Sequence, residues 1–446
     1  MLARRSTAPV VPLAAAVIVA AAATGASPIA GVALLGLVVA AGLLLFPVAL
    51  LPAILVTSAL NRVGVQYGDA QIRIDLITVV LAATVLINAV AVRTIRVRDL
   101  VSPILVPLIA YALCNVVSTV LVGSEKVRGL KLDAQILAVV LAVAVVAGLL
   151  RDRGNARRLL PILWWVTVGE AAISLVLLAL YIAGVSVTGV QLGDFGLPMA
   201  YGTGYEANIF GSFLLGNFFL LLADYAINGR SARYAGGLVV VLLAIAASET
   251  RTVWIGLLFG LGVFALLLQQ HRGSGGRLMP VVAGIPLVAL AAGILGTATP
   301  LASRILAVFN LQSSSASGRL VIFQAAISDW RAHPLLGLGT GSFNFGGGVG
   351  QAHPWLPNLF LLTLHDTGLL GILALGWLIF AFYRASLRGL RVGGAATTIA
   401  MGAVPGFTAL LIAFQTTSGF WFAYPWIVAT AGAVSSRLST PAEACA

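Results

Sequence analysis

Charge is what this sequence has least of. Only 9% of its 446 residues are Asp, Glu, Lys or Arg, against 60% hydrophobic residues and a mean hydropathy of +1.04. A soluble fold of this length needs far more charge to cover its surface, so a water-soluble chain is excluded. Cysteine is nearly absent too. Cys114 lies within an apolar segment and Cys445 near the C-terminus, which excludes a disulfide framework and a cysteine-based metal site. The apolar segments show none of the alternation of barrel strands, and hydrocarbon accepts only backbone that satisfies itself, so helices remain.

What the chain does have is long apolar runs. Segments 134–150, 235–249, 253–269 and 279–298 approach or reach the length of helix that crosses a bilayer, roughly 20 residues. About fourteen spans are read, near 10–25, 29–46, 47–60, 76–93, 102–121, 134–150, 159–183, 207–225, 235–249, 253–269, 279–298, 357–383, 396–415 and 419–435. The second and third are split only by "FPVALLP", so the expectation is an all-α polytopic membrane protein of about 12–14 transmembrane helices, a single transmembrane domain over 1–446. The opening "MLARRS" and its Ala/Val run look like a signal peptide, but apolar segments continue without an intervening soluble domain, which favours an uncleaved first helix.

The charges give the bundle a direction. With a cytoplasmic N-terminus, the inner loops hold Arg4, Arg5, Arg93, Arg96, Arg98, Arg151, Arg153, Arg157, Arg158, Arg230, Arg233, Arg272, Arg277, Arg384, Arg388, Arg391 and Arg437, seventeen of the 26 basic residues. That bias has the sign expected of a cytoplasmic (inner) membrane protein. It also accounts for the formal charge of +12 through orientation and anionic lipid rather than nucleic acid. The longest connection, 299–356, is then extracytoplasmic, and long loops in proteins of short turns are usually functional.

Four constellations stand out on that outer side. In "ASETRTVWIGLLFGLG", Thr250 suits an N-cap and Arg251 falls in the first turn of a span, where a cation opposes the helix dipole. An anion would reconcile it; the plain alternative is an interfacial anchor neutralised by Glu249. In "SSSASGRLVIFQAAISDWRAHPLLGLGTGSF", Leu320, Phe323, Ile327 and Trp330 recur as one face of a surface helix starting at Ser317. Arg319 sits in its first turn, Pro334 stops it, and Gly337, Gly339 and Gly341 form a flexible turn without the Lys of a P-loop.

In "QAHPWLPNLFLLTLHDTGLLG", Pro357 suits the first turn of a span, His353 lies just outside, and His365 and Asp366 lie two to three turns inside. Buried ionisable groups are costly and normally meet a partner or a cavity; a satisfied structural pair is the commoner case. Glu170, mid-span in "WWVTVGEAAISL", raises the same question with no evident partner. In "GTGYEANIFGSFLLGNFF", Glu206 and Asn208 either cap a helix, the default, or bind a polar ligand.

Taken in order, these pieces resemble the O-antigen ligase and Wzy-type polymerase family of bacterial membrane glycosyltransferases. The resemblance covers about 200–380 and runs through Glu206 and Asn208, Arg251, Gly318 and Arg319, Trp330, Pro334, Gly337 and Gly339. It continues with Asn358, Phe360, Leu361, Asp366, Thr367, Gly368, Leu369 and Gly371. The histidine that precedes this asparagine in the family is replaced by Pro357, with His353 four positions earlier and His365 deeper.

The resemblance implies a C-type glycosyltransferase-like fold and transfer of a glycan from a polyprenyl-diphosphate donor to a hydroxyl of a glycan or glycolipid acceptor. It implies no cofactor and no metal. Arg251 and Arg319 would hold the diphosphate; His353, then Glu206 or Glu249, would be the base; Asn208, Trp330, Asn358, His365 and Asp366 would support them. Two alternatives stay open. One is a flippase for the same lipid-linked glycans, against which stands the lack of an internal repeat. The other is a peptidoglycan-polymerising transferase.

Overall fold

In a computed structural model of the chain, the described residues are 49–67, 70–92, 96–193, 198–272, 314–343, 356–417 and 419–438. Thirteen α-helices carry nearly all their regular structure. They are α1 (Leu50–Ala59), α2 (Ile74–Ala91), α3 (Val97–Leu100), α4 (Leu105–Leu121), α5 (Lys126–Leu150), α6 (Arg153–Ile182) and α7 (Ala207–Asn228). There follow α8 (Ala232–Ala247), α9 (Arg251–Arg272), α10 (Ser314–Trp330), α11 (Leu359–Gly389), α12 (Gly394–Ala413) and α13 (Tyr424–Val434). Two small antiparallel hairpins complete them: β1 (Gly64–Tyr67) with β2 (Ala70–Arg73), and β3 (Val190–Leu192) with β4 (Pro198–Ala200).

Seven described helices are long and apolar enough to cross a membrane: α2, α5, α6, α7, α9, α11 and α12. Helices α1, α4 and α8 are apolar but shorter. Three expected spans, 10–25, 29–46 and 279–298, lie outside the described residues; the other eleven each meet a helix. The match is not one of boundaries. Helix α5 begins at Lys126 rather than near 134, because hydropathy marks the apolar part of a helix while Lys and Arg are good helix formers that let it continue. The expected span 419–435 is a 3₁₀ turn, Gly419–Trp421, followed by the eleven-residue α13. At 1.5 Å per residue α13 is only about 16 Å long, well short of the hydrocarbon.

The centre of the bundle is α7, buried along almost its whole length, with α12 and α13 packed around it. An α-helix apolar on every side has no solvent face to offer, so it goes inside. Close approach comes from the Gly402–x–x–x–Gly406 pair of α12: a Cβ at Gly402 would collide with the backbone of Leu220, and one at Gly406 would lie 2.9 Å from the Gly216 carbonyl. Such small-residue pairs bring helix backbones together where lipid supplies no hydrophobic drive. Outer helices instead show large apolar side chains outward, including Ile87 of α2, Val176 of α6, Phe259 of α9 and Leu373 of α11, as lipid contact requires.

Helix α11 is broken. Gly368 has φ 63° and ψ −157°, outside the helical region, so the helical bonds that Leu369 and Leu370 would make to His365 and Asp366 are not formed. All four freed groups find partners in the turn after α10. Leu338 N–H donates to the His365 carbonyl (2.9 Å) and Gly339 N–H to that of Asp366 (3.0 Å). Leu369 N–H donates to Pro334 O (2.9 Å) and Leu370 N–H to Leu335 O (3.3 Å). Irregular backbone within a membrane protein persists only when protein satisfies it. The glycine turn expected to be flexible is therefore docked, with Ser118 Oγ 2.6 Å from the Asp366 carbonyl and Thr119 Oγ1 accepting Thr340 N–H at 3.1 Å.

A Cβ at Gly368 would fall on the Leu335 carbonyl, whereas one at Gly376, two turns on, would meet nothing within 4 Å. Gly368→Ala is expected to destabilise the protein by about 1–3 kcal/mol from backbone strain alone, read as a lower thermal midpoint in detergent. Gly376→Ala should leave that midpoint unchanged or raise it.

Candidate active site at one end of the bundle

Contacts between loops, rather than their order, gather segments 60–67, 70–73, 122–125, 183–193, 198–206, 248–250, 331–343, 356–358, 414–417 and 419–423 at one end, as where Arg73 donates to the Trp421 carbonyl and Asn358 to Gln415. Cross-contacts agree: Thr203 Oγ1 reaches the Ala59 carbonyl (3.4 Å), Tyr205 N–H donates to Asn61 Oδ1 (2.7 Å), and Thr340 meets Thr119. The opposite end holds Arg151 paired with Asp99 (2.6 Å), Arg437 bonded to the Val101 carbonyl (2.6 Å), and buried Asp224 bonded by Asn228, Arg230 and Tyr234. All the candidate residues within the described parts of the chain are on elements of the first end.

There the short stretch after α12 is the meeting point. A helix end leaves carbonyls without intrahelical partners. Some are closed locally: Gln415 Nε2 donates back to the Leu411 carbonyl (2.7 Å). The Ile412 and Ala413 carbonyls are taken by the N–H groups of Gln415 and Thr416, and those of Phe414 and Gln415 are used by the start of α11. Leu359 N–H donates to Phe414 O (2.8 Å), and Asn358 Nδ2 donates to Gln415 O (3.3 Å) and to Gln415 Oε1 (3.1 Å). Asn358 Oδ1 accepts Leu361 N–H at 2.9 Å, so this residue caps α11 while tying it to α12. One residue further on, Thr416 Oγ1 lies 2.5 Å from Thr252 Oγ1, beside Arg251. Thr417 is a neighbour of the Glu206 carboxylate.

Glu206 occupies the N-cap position of α7 in extended geometry, φ −154° and ψ 166°, but its side chain does not cap the helix. The capping reading for this residue is thus corrected. Its carboxylate faces Asn208, Thr417 and the charge of Arg319. Burial pushes its pKa above the ordinary glutamate value, and the Asn208 side chain, Arg319 and Thr417 pull it partly back. A carboxyl so placed holds its proton nearer neutrality than an exposed one, as suits a group that takes a proton during a reaction.

Arg251 is the first residue of α9 and is half-buried. Glu249, two positions earlier, has φ +50°, a left-handed conformation uncommon outside glycine. It is the residue just past the end of α8, where glycine is the usual occupant. Strain of this kind costs on the order of 1–3 kcal/mol and tends to cluster where function requires it. Its carboxylate faces the β3–β4 hairpin, since a Cβ at Gly193 would lie 3.5 Å from Glu249 Oε2.

Helix α10 starts at Ser314, three residues before the expected start, which puts Arg319 in the second turn rather than the first. Its buried face is also rotated from the expected one. Ile322 and Ala326 are buried, Phe323, Ile327 and Trp330 are half-buried, and Leu320 is 57% exposed. Trp330 Nε1 donates to the Pro334 carbonyl (3.1 Å), closing the chain reversal that leads into the glycine turn. His365 and Asp366 form a satisfied pair: Nδ1 and Oδ1 are 2.7 Å apart, and Asp366 Oδ2 accepts Gly341 N–H at 3.0 Å. They hold the turn and are both buried. His353 lies outside the described residues.

Several residues of this end escaped the sequence reading. Arg73 is only 6% exposed, pairs with Asp75 (3.1 Å), donates to the Trp421 carbonyl (2.9 Å) and lies 4.2 Å over the Phe422 ring. Asp133 is buried in α5 beside Thr119 and Thr340. Both carry the signal of an ionisable group within or against a span. Gln415, Thr416 and Thr417 carry none, being uncharged residues at the end of an apolar run.

Residues 236–360 match the Wzy_C family model, described as O-Antigen ligase. That stretch carries Arg251, Arg319, Trp330, His353 and Asn358, and bears out the resemblance read from the motifs. No curated protein matches the chain. The match points to glycosyl transfer of the O-antigen ligase or polymerase type, and the apolar helices make the chain a multi-pass membrane protein.

The bond from Asn358 to Gln415 is open to a double-mutant cycle. Asn358→Ala is expected to cost about 0.5–2 kcal/mol through loss of the cap. Its effect and that of Gln415→Ala should be non-additive by at least about 0.5 kcal/mol in unfolding free energy.

Proposed function

We propose that this protein transfers a glycan from a polyprenyl-diphosphate donor to a hydroxyl of a glycan or glycolipid acceptor, at the outer face of the cytoplasmic membrane. The observation that carries the proposal is a half-buried carboxylate, Glu206, within electrostatic reach of Arg319 at the bundle end that also presents Arg251. In the reaction, the acceptor oxygen attacks the anomeric carbon and the bond from that carbon to the diphosphate oxygen breaks. The acceptor proton passes to Glu206, and polyprenyl diphosphate leaves with the bonding electron pair.

Arg251 and Arg319 oppose the negative charge that grows on the departing diphosphate, and charged donors set in place beforehand are the strongest way to do so. Glu249 is the alternative carboxylate, and His353 a further candidate base. The basic loops at the opposite end of the bundle support a cytoplasmic location for that end and for the N-terminus. The donor's lipid tail then stays in the bilayer between helices, so that only its headgroup enters the site.

Transfer by the purified protein, with a lipid-linked oligosaccharide and an acceptor glycan, tests this. Arg251→Ala and Arg319→Ala should each lower the rate at least tenfold, since hydrogen bonds to charged groups contribute roughly 1.5–3 kcal/mol. Full activity in both variants would refute the assignment. The raised Glu206 pKa fixes the sign of the pH response. The base works deprotonated, so activity should climb with pH through a midpoint above the ordinary glutamate range, and Glu206→Gln should abolish that rise along with transfer.

A further inference from the structure

Glu170 has no place in the chemistry above, yet it is an ionisable residue in the middle of a membrane-crossing helix. It is 5% exposed and stands twelve residues before Ile182, the last residue of α6, about 18 Å along the helix axis at 1.5 Å per residue. Carboxylates at such positions are costly and are kept for a partner. The partner is backbone. Glu170 Oε1 accepts the N–H of Thr203 at 2.7 Å.

Thr203 belongs to the turn 201–206, which delivers the chain into α7 and ends on Glu206. Irregular backbone of this kind needs an acceptor or donor for each group it cannot satisfy itself. Tyr201 and Gly202 N–H both donate to the Gly189 carbonyl (2.8 and 3.0 Å), and Gly204 N–H donates to the Tyr201 carbonyl (2.8 Å). Tyr205 N–H is taken by Asn61 Oδ1, and the Tyr201 hydroxyl accepts from Arg62 Nη1 at 2.8 Å. Thr203 N–H is the member of the turn that reaches into the bundle, where α6 offers a carboxylate. The fit is close: Gly202 has φ +55°, and a Cβ there would lie 2.5 Å from Glu170 Oε1.

We infer that Glu170 is a positioning residue for the candidate base, fixing the turn through Thr203 N–H and thereby the place of Glu206 three residues later. The inference rests on the proposed role of Glu206. A shift of about 1 Å in a reacting group can cost on the order of 100-fold in rate. The negative charge itself is not required; an oxygen acceptor at the Oε1 position is.

The test compares wild-type, Glu170→Ala and Glu170→Gln proteins, full length and in detergent. Amide exchange over 201–206 is read by mass spectrometry beside transfer kinetics. In Glu170→Ala the turn should exchange faster and kcat should fall on the order of 10–100-fold, with the KM for the lipid-linked donor changed less than kcat. Glu170→Gln should restore both the protection and most of kcat, because its amide oxygen accepts the same N–H.

Unchanged exchange in Glu170→Ala would overturn the inference, as would faster exchange with full kcat. A loss of kcat that Glu170→Gln fails to rescue would also overturn it. A wild type that transfers nothing would instead remove the proposed function, and this assignment with it, whatever the exchange shows.

Discussion

Two helical hydrogen bonds are absent at Gly368, and four bonds to the turn after α10 stand in their place. The carbonyls of His365 and Asp366 and the N–H groups of Leu369 and Leu370 are the groups that an unbroken α11 would pair with one another. Each would cost about 1–3 kcal/mol if left buried and unpaired. The break and the turn therefore exist only together. Around this joint the other contacts fall into place: Ser118 and Thr119 of α4 grip the turn, Asp366 accepts Gly341 N–H, and Trp330 closes the reversal behind it. Helix α10, and Arg319 on it, is thereby anchored to the bundle.

The end of α12 does for the rest of the site what that joint does for α10. Its terminal carbonyls and the residues after it bind Leu359 and Asn358 of α11, Thr252 of α9 and the neighbourhood of Glu206. Helices distant in sequence thus share a mount made of backbone groups that a helix end leaves free. The same rule explains Glu170. In water, Thr203 N–H could be satisfied by solvent; within a span, protein must supply the acceptor.

Much of this was legible in the sequence, and for a physical reason. Hydropathy reports the solvent, so each of the eleven expected spans within the described residues meets an apolar helix, seven of them long enough to cross a membrane. It does not report backbone geometry, so the apolar stretch 419–435 reads as a span although it holds a short helix behind a 3₁₀ turn. Amphipathic periodicity misplaced one residue of the packed face of α10 for a related reason. In a membrane protein an apolar residue such as Leu320 can face outward at no cost, so an apolar stripe need not mark the packed face.

The glycines at 337, 339 and 368 were visible as a pattern, but their pairing joins segments about thirty residues apart and nothing local encodes it. Glu206 and Arg319 were named from motif order; that the charge of one reaches the other required coordinates. Thr416 and Thr417, which lie between the constellations, have side chains too ordinary to draw notice.

The central claim is that this bundle end joins a lipid-linked glycan to an acceptor hydroxyl. It is tested most directly by reconstituting the purified protein in vesicles with a labelled polyprenyl-diphosphate oligosaccharide and an acceptor glycan. The account predicts a lengthened or ligated glycan and an equal amount of released polyprenyl diphosphate. Movement of the intact lipid-linked oligosaccharide between leaflets, with no glycan transferred and no polyprenyl diphosphate released, would contradict it.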